Sequence, residues 1–313
     1  MASVTTHLPG LHRFLAVVQC GSLSRAAELL HLSQPALTKS IQVLEERLGA
    51  ELFVREARGV TLTSYGKAVL ARARLIDAEM HKLVDEVESL RDLSAGSVKV
   101  GAPPGAGFHT AILPAATLRL IAGSRKLSVN YAMGTREALL PLLRQGELDF
   151  FLGVIVEDET TGDLVQQALF DDRNCLIARA GHPLLRRKEV DVVALGKHPW
   201  FVMSEAVALE RALRAEAREV QASLTRSVVR CDSSQLLKAA VLAGDGIGLT
   251  RYDVTLGDIR SGLVQELRLK GLKRAPQVLG QHTLGVIHRR EAELSPAARQ
   301  LITEIQVECR AQR

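Results

Sequence analysis

A short helical pattern between Ser33 and Gly49 places polar side chains on the face opposite its leucines. Gln can bond bidentately to adenine, Lys can bond to guanine or phosphate, and Thr can contact phosphate or a thymine methyl group. Residues of these types on one helix face could therefore contact base edges. An ordinary solvated helix face is the alternative, and the pattern alone leaves it open. The candidate residues are Ser33, Gln34, Pro35, Thr38, Lys39 and Gln42.

The elements around this pattern predict a helix-turn-helix. Apolar residues recur at helical spacing over 11–18, 23–30 and 37–48. Ser33 is a suitable N-cap for the third helix, and Gly49 is a suitable end. About three residues join the second and third helices, which is typical of a helix-turn-helix. In that motif the second helix enters the major groove through its N-terminal residues.

A small hairpin is predicted directly after the third helix. Two β-rich runs, 52–55 and 59–63, flank a tight turn. Arg55 and Arg58 at its tip could enter a minor groove, where negative potential attracts arginine. A helix-turn-helix followed by such a wing favours DNA binding. The formal net charge of +5 permits this partner but does not require it, because charges within residues 1–66 nearly balance.

Residues from about 11 to 63 resemble the winged helix-turn-helix of LysR-type transcriptional regulators. The landmarks that recur in that family in this order are Ala26-Ala27, Ser33-Gln34-Pro35, Leu44 to Gly49, Leu52 to Arg55 and Thr63 to Gly66. The resemblance implies base and backbone contacts from Gln34, Pro35, Thr38 and Lys39, and wing contacts from Arg55.

A long helix is predicted from residue 64 to about 93, with no proline and with Gly66 near its start. Its apolar residues alternate by three and four positions, which is a heptad seam. The seam favours pairing with a second copy of the chain, and packing on its own domain is the alternative. The resemblance implies dimerisation through this helix, and commonly tetramers, so that two heads read a two-fold-related site. The seam residues are Ala73, Ile76, Met80, Leu83, Val87 and Leu90.

The remaining sequence predicts an α/β domain with a mainly parallel sheet. Strands at 97–102, 127–132 and 148–154 alternate with helices that end near 121 and 145. Further strands are predicted near 165–170, 173–179, 200–204, 226–231, 246–250, 263–268 and 282–289. Further helices are predicted near 206–220, 233–243 and 295–310.

Similarity to the LysR family extends over this domain, which resembles a two-lobed periplasmic binding protein. The implied lobes are 97–168 with 269–313, and 169–268. The family landmarks are Gly101, Leu113-Pro114, Gly146 to Asp149, His182 to Leu184 and Ala243 to Gly248. The predicted fold class is therefore α/β, with a winged helix-turn-helix at 1–66, a linker helix at 64–93 and an effector-binding domain at 94–313.

An effector cleft is expected between the lobes, because such sheets bind ligands beyond the carboxyl ends of their strands and against helix N-termini. A helix N-terminus with hydroxyls and an arginine suits a small carboxylate. A plain structural role for each residue is the alternative. The family often has Ser or Thr where this chain has Pro103-Pro104, so ligand identity does not transfer. The candidates are Ala102, Pro103, Pro104, Thr135, Ser204, Thr250 and Arg251.

Motifs for catalysis, nucleotide binding and metal binding do not stand out in the sequence. The glycine-rich stretches 101–107 and 244–248 fit neither the dinucleotide fingerprint nor the P-loop, and no G-x-S-x-G elbow occurs. The histidines do not cluster at metal-ligand spacing, and the four cysteines form no C-x-x-C pair. No enzyme activity, metal or cofactor is expected. The chain shows no signal peptide or membrane-spanning apolar run, so a cytoplasmic protein without a membrane partner is expected.

The sequence thus predicts a sequence-specific DNA-binding transcriptional regulator of the LysR type that responds to a small-molecule effector. Its expected partners are double-stranded promoter DNA, the effector, further copies in a homodimer or homotetramer, and RNA polymerase. One alternative is a small-molecule binding protein whose N-terminal module mediates protein contacts. A winged-helix repressor of another family is a nearer alternative, against which the linker helix and two-lobed domain argue.

Overall fold

Three short helices, a two-stranded hairpin and one long helix follow one another in the N-terminal part of the computed structural model. They are α1 (Leu8–Cys20), α2 (Leu23–Leu29), α3 (Gln34–Leu48), β1 (Phe53–Glu56), β2 (Gly59–Leu62) and α4 (Ser64–Arg91). The structure describes residues 8–56, 59–91, 95–103, 112–122, 126–156, 161–221, 227–270 and 280–311. Contacts divide the chain into two units, 1–91 with 141–148 and 92–140 with 149–313.

The ends of α2 and α3 follow from their capping residues. Ser22 Oγ accepts a hydrogen bond from the backbone N–H of Arg25, and Ser33 Oγ accepts one from Ala36. Gly49, with φ of 68°, takes the left-handed conformation that ends α3. The predicted helix-turn-helix is confirmed in the structure.

The apolar faces of the three short helices meet in one core. Phe14, Val17 and Leu37 are fully buried there, and Ala26 and Ala27 are buried beside them. Small side chains at these two positions let α2 lie close to its neighbours, which explains the Ala-Ala landmark.

The C-terminal part alternates strands and helices. These are β3 (Ala95–Ala102), α5 (Ile112–Ala122), β4 (Lys126–Met133), α6 (Arg136–Arg144), β5 (Phe150–Val154), β6 (Leu164–Arg179), α7 (Val192–Leu195), β7 (Trp200–Met203), α8 (Val207–Glu219), β8 (Val228–Cys231), α9 (Ser234–Leu242), β9 (Ile247–Arg251), α10 (Tyr252–Arg260), β10 (Val264–Glu266), β11 (Gln281–Arg289) and α12 (Pro296–Ala311). Short 3-10 segments lie at Pro183–Arg186 and Ser204–Ala206.

The strands form a mixed sheet in the order β4-β3-β5-β11-β6-β9-β7-β8, with β10 beside β6. The expected parallel pairing is present for β3 with β4 and β5, and for β7 with β8 and β9. The expectation of a mainly parallel sheet was wrong for the middle strands. There, β6 and β11 run antiparallel to their neighbours, as does β10.

Strand β6 corrects a second expectation. The sequence predicted two strands, 165–170 and 173–179, with a break at 171–172, but one strand of 16 residues is present. Asp172 and Asn174 are buried within it. The first part of β6 pairs with β11, and its last part pairs with β9 and β10. Helix α10 was also not predicted.

Two separate apolar cores lie on the two parts of this sheet. One is built around Phe150, Leu152 and Leu301, and the other around Trp200 and Leu249. Side chains of β6 contribute to both. The exact lobe boundaries at 168 and 269 stay predictions. Among the described helices, none is both long and apolar enough to cross a membrane.

The junction between the hairpin and α4 requires a glycine at position 66. Thr63 Oγ1 donates to the carbonyl of Glu51 at 2.7 Å and accepts from the N–H of Gly66 at 2.9 Å. A Cβ atom at Gly66 would overlap the carbonyl oxygen of Leu52. This close approach explains the T-x-x-G landmark.

Gly66→Ala is therefore expected to lower the free energy of unfolding of the N-terminal module by about 1–3 kcal/mol, the usual cost of overpacking. The clash is with backbone, which cannot move aside as a flexible side chain can. Urea unfolding measures the loss. Gly10→Ala is the matched control, because its Cβ would meet Leu44 at an ordinary 3.5 Å. Equal stability of the two variants would contradict the account.

Candidate functional site

Six of the eight residues predicted to contact DNA share one face at the start of α3. All are exposed except Thr38, which is half-buried. On the opposite face Leu37, Ile41 and Leu44 are buried in the core. The structure therefore brings the predicted set together and directs it to solvent. The set comprises Ser33, Gln34, Pro35, Thr38, Lys39 and Gln42.

Two side chains outside the predicted set orient this face. Ser24 Oγ, on α2, donates to Gln34 Oε1 at 3.1 Å, which leaves the amide N–H groups of Gln34 directed away from Ser24. Arg13 Nη1, on α1, donates to Ser40 Oγ at 2.7 Å and ties α3 to α1. Helical periodicity did not identify Ser24 or Arg13, because their contacts are between helices.

The hairpin is fixed to α3 by one carboxylate. Glu45 Oε1 accepts hydrogen bonds from the backbone N–H groups of Leu52 at 2.7 Å and Phe53 at 3.3 Å. The rings of Phe14 and Phe53 also pack, with centroids 5.2 Å apart. The backbone of Arg55 lies in β1. Its side chain and the whole of Arg58 lie outside the described residues, so their groove contacts stay predictions.

The apolar seam of α4 starts later than the sequence predicted. Ala73 is only 1% exposed and belongs to the N-terminal core, so it packs on its own domain and was wrongly placed in the pairing seam. Val84, which was not predicted, is 53% exposed beside the seam. The side chain of Leu90 lies outside the described residues. The exposed seam residues are Ile76, Met80, Leu83 and Val87.

A cavity of about 360 Å³ lies at the carboxyl ends of the C-terminal strands. Pro103, Thr135, Ser204 and Arg251 line it, as the sequence predicted. These residues follow or end β3, β4, β7 and β9, so parallel strands from both cores supply the walls. The position agrees with the general rule for ligand sites in α/β sheets.

Three further candidates are not part of the cavity lining. Thr250 is fully buried in β9, with its Oγ1 lacking a hydrogen-bond partner among the described residues. Because strand side chains alternate between faces, Thr250 and its neighbour Arg251 point to opposite sides. Ala102 is fully buried, and its carbonyl already accepts the N–H of Gly134 at 3.1 Å. Pro104 lies outside the described residues.

Arg136 lines the cavity and was missed by the sequence analysis. Its guanidinium lies 5.8 Å from the centre of the Phe151 ring, and Nη1 donates to the Val154 carbonyl at 3.3 Å. Its Nη2 is buried and has no hydrogen-bond partner in the described part of the chain. A basic residue in the first turn of α6 opposes the helix dipole. That unfavourable placement was the signal available in the sequence.

A buried charge cluster stands behind Arg251, which is 5% exposed. Its Nε lies 3.4 Å from Asp172 Oδ2 and 3.5 Å from Asp253 Oδ1. The N–H of Asp253 donates to Asp172 Oδ1 at 3.0 Å. Burial, together with the nearby Asp253 carboxyl, raises the pKa of Asp172 to about 7. Asp172 was missed because residues 171–172 were taken as a break between strands, and Asp253 was missed because α10 was not predicted.

Acidic groups also border the cavity. Ser204 Oγ donates to a carboxylate oxygen of Asp232 at the ends of β7 and β8. Thr135 bonds to the Glu137 carboxylate, and this bond lowers the pKa of Glu137. The walls therefore carry two arginines and two carboxylates around an apolar floor.

Two family models match the chain. "Bacterial regulatory helix-turn-helix protein, lysR family" matches residues 8–67, and "LysR substrate binding domain" matches residues 91–310. The chain belongs to the LysR family. It is a DNA-binding transcriptional regulator with an effector-binding domain. The first match favours DNA over protein contacts for the N-terminal module, and this family consists of regulators rather than enzymes.

Relatives agree with this membership, and solved structures have a similar fold. The chain is 32% identical over 292 residues to the SDS degradation transcriptional activation protein of a Pseudomonas species, covering 92% of each. It is 34% identical over 175 residues to the regulator PcaQ of Agrobacterium fabrum, covering 56% of each. The fold resembles full-length CbnR complexed with its target DNA, with a TM-score of 0.62, 18% identity and coverage of 96% and 99%. It also resembles ArgP from Mycobacterium tuberculosis, with a TM-score of 0.66, 17% identity and 96% coverage of each chain.

Glu45→Ala is expected to destabilise the regulator by about 1–3 kcal/mol, because two backbone donors lose a charged acceptor. DNA affinity should fall as well, since the hairpin is no longer fixed to α3. Urea unfolding and DNA titration measure the two effects. Glu46→Ala removes the same charge from an exposed neighbour and should be near neutral in both. Indistinguishable variants would argue against the anchoring role of Glu45.

Proposed function

We propose that the regulator reads its operator with the exposed face at the start of α3. Gln34 and Gln42 would contact base edges, Lys39 a guanine or phosphate, and Thr38 a phosphate or thymine methyl group. Ser33 and Pro35 would hold the first turn of α3 close to the sugar-phosphate backbone of the DNA. The main support for this proposal is that the polar face is exposed while the opposite face of α3 is buried in the core.

The hairpin extends the proposed contact to the neighbouring groove. Arg55 and Arg58 would approach the minor groove or the phosphates on one side of α3, where arginine is favoured by the negative potential. The anchoring of β1 by Glu45 supports a fixed distance between the hairpin and α3.

Pairing of two chains through α4 is proposed from its exposed apolar stripe. Ile76, Met80, Leu83 and Val87 are 36%, 43%, 52% and 42% exposed, which is unusual for large apolar side chains along one helix. A second α4 would cover them and place two DNA-binding heads on two half-sites. The assembly would be a homodimer or a homotetramer.

The cavity is the proposed site of a small anionic effector, because Arg136, Arg251 and the hydroxyls of Thr135 and Ser204 line it. The Pseudomonas relative is named for activation of SDS degradation, and SDS is itself an organic anion. Effector binding would change the closure of the lobes and so favour one assembly shape on DNA. In this proposal the protein acts in the cytoplasm, without a cofactor or catalytic step, and contacts RNA polymerase at its promoter.

Gln34→Ala should reduce base preference, and Lys39→Ala should weaken operator binding, by about 1–3 kcal/mol for a lost base contact. Loss of a phosphate contact by Lys39 would also reduce the salt dependence of binding by about one ion. DNA titration at several salt concentrations measures both. Lys188→Ala, an exposed lysine in the C-terminal part, is the charge-matched control. Equal operator affinities of Lys39→Ala and Lys188→Ala would contradict the proposed docking.

Leu83→Glu should dissociate the assembly, because a charge would be buried wherever the two seams meet. Sedimentation velocity should then show monomers, with operator affinity reduced as the two heads bind independently. Ala71→Glu introduces the same charge at an exposed position of α4 outside the seam and should leave the assembly intact. An unchanged assembly for Leu83→Glu would refute pairing through this stripe.

A further inference from the structure

Arg251 stands between the cavity and two buried aspartates. It lines the cavity, yet its Nε faces Asp172 and Asp253 at 3.4 and 3.5 Å without forming a hydrogen bond within the described residues. We propose that the cavity binds an organic monoanion with an apolar body, and that the anion binds together with a proton taken up by the Asp172–Asp253 pair. This inference rests on the proposed function, since it names the chemistry of the effector.

Two guanidinium groups in the cavity lining favour a ligand with an anionic head group. Arg136 stands at the start of α6 and Arg251 at the end of β9, and both line the cavity. Arg136 Nη2 is buried without a hydrogen-bond partner among the described residues, and Arg251 is 95% buried. Buried donors of this kind are normally satisfied. A carboxylate or a sulfate monoester supplies the oxygen acceptors that fit guanidinium groups.

The rest of the cavity lining favours a ligand with an apolar body. Leu139, Phe151 and Leu152 are buried residues of the lining, and they offer no charge to a ligand. The volume of about 360 Å³ suits a small molecule. Glu137 and Asp232 border the cavity and would repel a second negative charge. The ligand is therefore a monoanion rather than a dianion.

The charges next to Arg251 explain why a proton would bind together with the anion. When both aspartates are ionised, two buried negative charges face one guanidinium, and its positive charge is directed at them. Burial and the neighbouring Asp253 carboxyl raise the pKa of Asp172 to about 7, so Asp172 is partly protonated near neutral pH. With one carboxyl neutral, the guanidinium and the remaining carboxylate balance, so a bound anion no longer adds to an uncompensated negative charge.

The other titratable groups around the pair do not supply this proton. Burial and the nearby Arg251 lower the pKa of His282 on β11, so its ring is neutral near pH 7. Burial raises the pKa of Cys175 on β6 to about 12, so its thiol stays protonated. Arg173 is paired with Glu266, with Nη2 to Oε2 at 2.8 Å, and lies over the Tyr252 ring.

The affinity for the anion should fall as the pH rises above the pKa of Asp172. A bound anion adds a third negative charge near Arg251 and so favours the protonated pair. Below about pH 6 the pair already carries its proton, and affinity is expected to be constant. Above about pH 7 binding must take up a proton, so affinity should fall by up to about tenfold per pH unit.

The test is calorimetric titration of the full chain with four probes that share a six-carbon body. Hexanoate and hexyl sulfate carry anionic heads, 1-hexanol is neutral and hexylamine is cationic. We expect binding of at least one anion, with hexanoate against hexyl sulfate distinguishing the head group, and no comparable binding of the other two. Absence of binding for both anions, or equal binding of 1-hexanol, would overturn the ligand class.

The proton is tested by repeating the titration with the better anion from about pH 6 to about pH 8. Asp172→Asn should bind it with nearly constant affinity above pH 7, while the wild type weakens. Asp253→Asn is the second variant, because it removes the other member of the pair. An operator footprint of each protein reports folding and DNA binding separately. Equal pH dependence in wild type and both variants would overturn proton uptake, while an intact footprint would leave the regulator assignment standing.

Discussion

Burial of Leu37, Ile41 and Leu44 in the N-terminal core fixes which side of α3 faces solvent. These side chains follow one helical stripe, so the remaining positions must point outward as a set. The orientation of the proposed DNA-binding face is therefore a consequence of core packing. The contacts of Ser24 and Glu45 then set the position of its first glutamine and of the hairpin. The core of this module and its proposed DNA contacts thus involve the same helix.

A similar constraint shapes the cavity. The alternation of β9 buries Thr250 and turns Arg251 toward the lining, so one strand contributes to both a core and a site. Asp172 lies on the strand shared by the two cores, and its carboxylate faces the Nε atom of Arg251. In the proposed site, the charge presented to a ligand is thus set by residues outside the cavity lining. Helix α10 supplies the second carboxyl, Asp253, from its first turn.

The sequence predicted the helices of the first 66 residues well, because each has a clear apolar period and a cap. It predicted the cavity position and four of its residues, because strand ends in α/β sheets meet at one edge. It could not predict β6 as one strand, since the polar residues 171–172 are typical of a turn and the pairing of β6 with β9, β10 and β11 is formed by residues distant in sequence. Ala73 fitted the heptad spacing as well as Met80 did. Only the packing of α4 on its own domain shows that Ala73 is buried while Met80 is exposed.

The most direct test of the account is a footprint of the purified protein on the DNA upstream of its own gene, repeated across a salt series. We expect two protected half-sites on one face of the duplex, with protection that weakens as salt rises, because phosphate contacts release counterions. Absence of protection on that DNA, and of any site in a random-sequence selection, would contradict the assignment of the α3 face to operator recognition.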